Sequence, residues 1–309
     1  MHGVPFISGK PDYAKGSFYA NPLHDKPVDD EELIKKCSLR IAVSTSHAPS
    51  RLCTDPAFLE PNVWPTEHLP DLEPAMKDLG QLMVSVGCKL AAFCDSLVGS
   101  ENTQYPEERL SKLLKESRMC KARLLYYFPR KEDDPPVPPV PAAGSDADTM
   151  AAVSNWCGWH NDHGSLTALC QAMYLDDAAD GKDIPNPDAD AGLYIRSRDH
   201  EVVKLKLPHG AMAFQIGESA QIHSGGALQA TPHCVRAAGN PGIGRATLAV
   251  FMEPEWNEPM APPPGAEVHR VTKGAHGETL PPGVPALASR WNADMDFGEF
   301  TDATLKAYY

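Results

Sequence analysis

The segment WCGWHNDHGSLTAL, residues 156–169, carries the groups best suited to chemistry. His160 and Asp162 are separated by one residue. On a strand, residues i and i+2 project from the same face, so an imidazole and a carboxylate would converge on one point. A second histidine from a neighbouring strand would complete two imidazoles and one carboxylate on one side of a metal ion. That facial set leaves coordination positions open and suits non-haem Fe(II) oxygen chemistry. A lone His-x-Asp is common by chance, so the third ligand matters. The downstream histidines are His200, His209, His223, His233, His269 and His276, of which His233 lies in the strand-like run ATPHCVRA. Arg245 and Thr247 follow in RATLAVFMEP and share one strand face. An arginine there can pair bidentately with a carboxylate, and the threonine can add a hydroxyl bond to it.

Such groups need a frame. Leu72, Met76, Leu79, Met83, Val86, Leu90, Phe93 and Leu97 step by three or four, which predicts a long amphipathic helix over residues 71–98. A shorter helix is expected over 106–116, and another over 298–309. Short helices, for example at 29–36, are expected within an otherwise irregular N-terminal stretch. ARLLYYF, residues 122–128, is strand-like and ends at Pro129. Residues 131–148 read as an exposed, proline-rich loop. From 153 to 253 the chain reads as short strands at 166–174, 191–198, 201–207, 211–216, 220–223, 228–236 and 245–253, with a turn cluster at 239–244. Short strands without alternating helices predict a mainly β fold with flanking helices, built as an antiparallel sandwich or barrel such as a jelly roll. The proline-rich stretch 255–288 is expected on the surface. The acidic stretch 176–190 lacks the order of a calcium-binding loop and reads as solvated.

Composition narrows the function classes. The 309 residues carry 28 Lys+Arg against 41 Asp+Glu, a net charge of −13, which argues against a nucleic-acid phosphate surface. The 30 prolines exclude a coiled coil. The 8 cysteines show no C-x-x-C spacing and are expected as reduced, mostly buried thiols. MHGVPFISGK lacks a basic n-region and a sustained apolar core, and no run approaches 18 consecutive apolar residues, so neither a secretory leader nor a membrane span is expected. A cytoplasmic protein acting on a small-molecule substrate is the expectation, with no nucleic-acid, membrane or protein partner.

Taken together, the motifs resemble the isopenicillin N synthase-like Fe(II)/2-oxoglutarate-dependent dioxygenase family. HNDHGSLTAL is similar to its H-T-D-x-G-x-x-T-x-L segment. Residues 191–237 resemble its G-L-x-V block, hairpin, G-D-x-L-Q strand and distal histidine. RATLAVFMEP resembles R-x-S-x-x-x-F-x-x-P, and ARLLYYFP resembles R-x-N-x-Y-P-P. The matches occur in family order over residues 120–254. KGSFYANP and FGEFTDATLKAYY resemble a less studied plant and microbial subgroup.

The resemblance implies a double-stranded β-helix (jelly-roll) core over 120–254. An N-terminal irregular and helical region, 1–119, would pack on it, with a proline-rich C-terminal extension at 255–309. It implies His160, Asp162 and His233 as catalytic iron ligands, with Tyr127, Arg245 and Thr247 binding 2-oxoglutarate. Fe(II), 2-oxoglutarate and O2 would then be the cofactors. Decarboxylation to succinate would accompany oxidation, by hydroxylation first of all, of a small organic molecule. Leu125 stands where the family has asparagine, Thr247 where it has serine, and the usual opening strand is missing. Two other readings remain at this level: an iron oxidase of the same family that does not use 2-oxoglutarate, and a non-catalytic jelly-roll binding module. Among secondary residues, His163 is expected behind the ligands or at the surface, and His223 is a candidate for the pocket wall. Trp156, Trp159 and Tyr126 are expected in the core, Cys157 and Cys234 in buried packing, and Arg123 in a structural ion pair.

Overall fold

A computed structural model of the chain describes residues 5–6, 10–11, 14–29, 59–140, 156–273 and 280–308. In chain order the elements are β1 (Pro5–Phe6), β2 (Lys10–Pro11), β3 (Lys15–Ala20), α1 (Leu72–Glu101), α2 (Arg109–Glu116), β4 (Lys121–Tyr127), β5 (Cys157–His160), β6 (Leu166–Cys170), β7 (Met173–Asp176), β8 (Lys182–Ile184), β9 (Gly192–Arg196), β10 (Val202–Lys204), β11 (Met212–Ile216), α3 (Glu218–His223), β12 (His233–Arg236), β13 (Ile243–Met252), α4 (Val268–Lys273) and α5 (Phe297–Tyr308).

The predicted long helix forms because its apolar stripe has a sheet to cover. Met76, Met83, Val84, Ala91 and Val98 are buried, each methionine or valine contributing roughly 1.5–3 kcal/mol. Two glycines permit the close approach. A Cβ at Gly80 would stand 2.4 Å from Pro22 Cβ, and one at Gly87 would stand 2.4 Å from Met252 Sδ on β13. Asp95 is buried in α1, yet it accepts from the Tyr105 hydroxyl at 2.6 Å and from the N–H groups of Leu110 and Ser111 at 2.8 and 2.9 Å. It thereby satisfies N–H groups at the start of α2 that have no partner within that helix. By length and composition alone α1 would also pass as a membrane span, a test that a core helix meets as well, and 44% of its apolar window is buried in the fold.

Two antiparallel sheets make the frame of the site. The larger has the order β11-β6-β13-β4-β3, with β7 on β13 and β8 on β7; the smaller has the order β10-β9-β12-β5. Leu125 and Tyr127 of β4 and Ala249 of β13 join Trp156, Ala191 and Val235 in one buried cluster, so both sheets contribute to it. The register then positions the chemistry. In β13 against β4, Arg245 lies opposite Tyr127, Thr247 opposite Leu125 and Ala249 opposite Arg123. In β12 against β5, His233 lies opposite His160.

Four expectations need correction. Residues 220–223 belong to the helix α3, not a strand; all six of its residues are buried, so no polar alternation marks its period. β3 is a regular strand pairing with β4 within the stretch expected to be irregular. The 228–236 strand is confined to His233–Arg236. The proline-rich stretch 255–288 is not all surface: Trp256, Met260, Val271 and Leu287 are buried with Phe297 and Phe300 of α5 in a second core. Residues 131–140 form a loop as expected. Residues 30–36 of the first expected helix and 141–148 of that loop lie outside the described residues.

Candidate active site

His160 ends β5, and Asp162 follows it outside the strand. The simple same-face argument therefore does not hold, but the side chains still converge. Asp162 Oδ1 lies 3.8 Å from His160 Nε2 and 3.7 Å from His233 Nε2. The three donor atoms all lie within 4.8 Å of one another. The two rings, on paired strands, stand 4.1 Å apart between centroids.

The backbone and side chains around the triad orient it. His160 Nδ1 sits 2.8 Å from the Gly158 carbonyl and His233 Nδ1 sits 3.0 Å from the Thr231 carbonyl. Each Nδ1–H thus donates to main chain and turns its Nε2 toward Asp162, the arrangement that in metal sites fixes the ligating tautomer. Asp162 Oδ2 accepts from the Thr167 hydroxyl at 2.6 Å and from Gln215 Nε2 at 3.4 Å, leaving Oδ1 toward the imidazoles. Thr167 and Gln215 are themselves opposite one another in β6 and β11.

Electrostatics prepare Asp162 and His233 for a metal, while at His160 burial is outweighed by Cys157 and Asp162, which raise the imidazole to about 9. Burial pushes the Asp162 carboxyl up, but His233, His160 and the Thr167 hydrogen bond together hold it below its usual range. Burial, reinforced by the charge of His160, lowers His233 to about 4. An ionised carboxylate beside a neutral imidazole is the protonation state that metal binding requires.

Across the cavity, Arg245 is 6% exposed and its guanidinium lies 5.4 Å from the centroid of the Tyr127 ring. Its Nε and Nη1 are buried without a hydrogen-bond partner. Thr247 shares its strand face, with its hydroxyl 3.5 Å from the Cys170 carbonyl. Tyr127 is buried and stacks on Trp156 at 5.5 Å. All six residues singled out in the sequence line one cavity of about 420 Å³.

The secondary residues sort differently. His163 stacks on Phe297 at 5.6 Å and approaches Glu253, behind the triad. His223 is buried in α3 with Nε2 3.1 Å from the Pro259 carbonyl, and is not part of the cavity wall. Trp156, Trp159 and Cys234 are buried in the core. Cys157 packs against the core and also lines the cavity, with its sulfur 3.7 Å from Lys15 Nζ and 3.9 Å from His160 Nδ1. Arg123 also lines the cavity and holds a hydroxyl, not an acid. Thr167 and Gln215 escape the sequence reading. Thr167 occupies the threonine of the quoted H-x-D-x-G-x-x-T pattern, the one signal that marked it.

A further network grips the ligand segment from outside. Asn161, between the two ligands, donates its main-chain N–H to the Tyr308 phenolic oxygen at 3.0 Å and its Nδ2 to Glu218 at 3.1 Å. Glu218 is paired with Arg290, which donates to Thr304 Oγ1 at 2.7 Å.

No family model matches the chain. One curated relative, scopoletin 8-hydroxylase of Arabidopsis thaliana, is 30% identical over 107 residues, covering 35% of this chain and 25% of the relative. The chain thus matches about a quarter of that protein's length. Among solved structures, a 2OG-Fe(II) oxygenase family protein from Caulobacter crescentus superposes with a TM-score of 0.55 at 15% identity, covering 98% of this chain and 74% of the other. A full-length Neurospora crassa protein in complex with alpha-KG gives 0.55 at 14% identity, over 97% and 67%. The dioxygenase for auxin oxidation of rice gives 0.51 at 15% identity, over 97% and 72%. At these identities the likeness is one of fold.

Proposed function

We propose that this chain, which has the fold of the 2-oxoglutarate-Fe(II) oxygenases, couples decarboxylation of 2-oxoglutarate to oxidation of a small organic molecule, hydroxylation being the simplest outcome. The two antiparallel sheets are read as a jelly-roll core over 120–254, with 1–119 and 255–309 packed around it. The reading extends to a reducing, cytoplasmic setting, supported by the six free cysteines within the described residues.

His160, Asp162 and His233 would hold Fe(II), a donor set of two nitrogens and one oxygen on one side of the ion. Bound there, iron would supply the dioxygen chemistry that oxidises both co-substrate and substrate. The rest is the work of the protein. Arg245 would receive the distal carboxylate of 2-oxoglutarate, with Thr247 adding a hydroxyl bond and Tyr127 closing the same wall. Leu125, opposite Thr247 in register, adds an apolar side chain to that wall. A cavity of about 420 Å³ lies within the range of small-molecule sites and admits a co-substrate with a modest second molecule.

The observation that carries the reading is Arg245. A buried guanidinium with unpartnered N–H groups is costly, by several kcal/mol, unless an anion meets it. Its place in the same cavity as the triad favours the 2-oxoglutarate reading over a simple binding module.

The test is anaerobic binding of Fe(II) and 2-oxoglutarate, followed by measurement of O2-dependent succinate. His160→Ala and Asp162→Ala should abolish succinate release. Arg245→Ala should weaken 2-oxoglutarate binding roughly a hundredfold while Fe(II) binding persists. Wild-type succinate release by His160→Ala would overturn the proposal. Iron binding with substrate oxidation but no succinate would select the oxidase alternative.

A further inference from the structure

The Cys157 thiol is a reactive group on the cavity wall that the proposed oxygenase chemistry does not use. Its sulfur lies 3.7 Å from Lys15 Nζ. Lys15 opens β3, opposite Tyr127 of β4 in register, so it projects from the same face as that cavity residue. Cys157 opens β5. In the strand orders, β3 stands at one end of the larger sheet and β5 at one end of the smaller. The amine and the thiol therefore meet across the gap between two sheet edges, beside the first of the triad histidines.

The fold limits what else the sulfur can react with. His160 Nδ1 lies 3.9 Å from it but is engaged by the Gly158 carbonyl at 2.8 Å. Cys234, on the strand paired with β5, is fully buried in a different cluster, with Trp159 and Tyr194, whereas Cys157 packs with Tyr127 and Trp156. Cys170 also lines the cavity, and its thiol donates to the Leu248 carbonyl at 3.4 Å. Lys15 is thus the nucleophile in contact with Cys157. Its four-carbon stem is flexible enough to close a gap of 3.7 Å. The thiol is half-buried and opens on a cavity of about 420 Å³, so a small oxidant can reach it.

We propose that Lys15 and Cys157 form a redox modification site, where hydrogen peroxide joins the two side chains as a sulfenamide. In the first step the Cys157 sulfur attacks peroxide, an S–O bond forms as the O–O bond breaks, and the second oxygen leaves as water. In the next, the Lys15 nitrogen attacks sulfur, an S–N bond replaces the S–O bond, and the hydroxyl leaves as water with an amine proton. Thiol, amine and one peroxide thus give a sulfenamide and two waters; sulfur loses two electrons and peroxide gains them. The bond ties β3 to β5 next to His160, and a thiol reductant reopens it. The link needs no iron, so it stands apart from the oxygenase reading.

The test is peptide mapping by mass spectrometry on the full chain in EDTA, treated with hydrogen peroxide and then capped with iodoacetamide. The wild type should yield two peptides joined at Lys15 and Cys157, together lighter by two hydrogen atoms than the separate parts. Dithiothreitol should part them and return a free Cys157 thiol. Lys15→Arg and Cys157→Ser should each abolish the joined pair, and in Lys15→Arg the thiol should go on to sulfinic acid. The same treatment of the wild type in urea should not join the two residues, because only the fold brings them together. A wild-type Cys157 that stays reduced, oxidises without Lys15 or forms a disulfide overturns the proposal, as does equal joining in urea.

Discussion

The Thr167 hydroxyl donates to Asp162 Oδ2 at 2.6 Å, on the opposite side of the carboxylate from the oxygen that faces both imidazoles. One oxygen is thus held by the protein and the other is left to a metal. Thr167→Val keeps the shape and removes the bond. Fe(II) affinity should fall about tenfold or more, as expected when a hydrogen bond to a ligand is lost. An anaerobic Fe(II) titration measures this; unchanged affinity would show that the carboxylate needs no such support.

Gly217 precedes α3 where the chain passes the ligand segment. A Cβ there would lie 2.1 Å from the Gly164 carbonyl oxygen and 3.0 Å from that of Asp162. Both obstacles are backbone, so neither can swing aside. Gly217→Ala should therefore displace residues 162–164, lowering the thermal midpoint and Fe(II) affinity together. A variant with wild-type values for both would refute the close-approach argument.

Glu218 and Arg290 form an ion pair whose side chains are each 2% exposed. Burial pushes the Glu218 carboxyl up, while Arg290 and Asn161 pull it back. Removing one partner strands the other charge. Arg290→Met should cost about 3–5 kcal/mol in urea unfolding, and the double variant Glu218→Leu/Arg290→Met should recover much of that loss. Equal losses in single and double variants would contradict the stranded-charge account.

His223 gives a pH signature away from the triad. Burial, helped by the Arg109 charge, lowers its imidazole to about 4, against a bond to Pro259 that raises it. The unfolded chain titrates near its ordinary value of about 6.5. Between these values the unfolded state binds a proton that the folded state refuses. The stabilisation is complete above about pH 6.5 and is lost as pH falls toward 4, at about 1.4 kcal/mol per pH unit. In EDTA, His223→Gln should flatten the fall of the thermal midpoint across that window. Parallel profiles would rule out this contribution.

What the sequence made legible followed from periodicity. The three-and-four stripe of α1 and the apolar run of β4 each had a single packing solution. His160, Asp162 and His233 were found by donor type and family pattern, and the register of β5 and β12 supplies the physical reason for their meeting. The losses have equally physical causes. α3 is buried on every side and so carries no alternation. Prolines at 255–288 masked Trp256, Met260 and Leu287, whose burial depends on α5 far along the chain. Gln215 reaches Asp162 only through the pairing of β11 with β6, a relation that no local window contains, whereas Thr167 stands within the quoted pattern itself.

The grip of α5 on Asn161 has a consequence for the order of assembly. Every proposed ligand precedes residue 297, so a growing chain carries both histidines and the aspartate before the helix that steadies them exists. Tyr308 meets Asn161 directly, and Arg290, bonded to Thr304, reaches it through Glu218. On the proposed iron site, a chain without this brace would hold its ligand segment less firmly. A fusion partner that unwinds residues 297–308 would act as a remote lesion in metal capture while leaving every ligand in place.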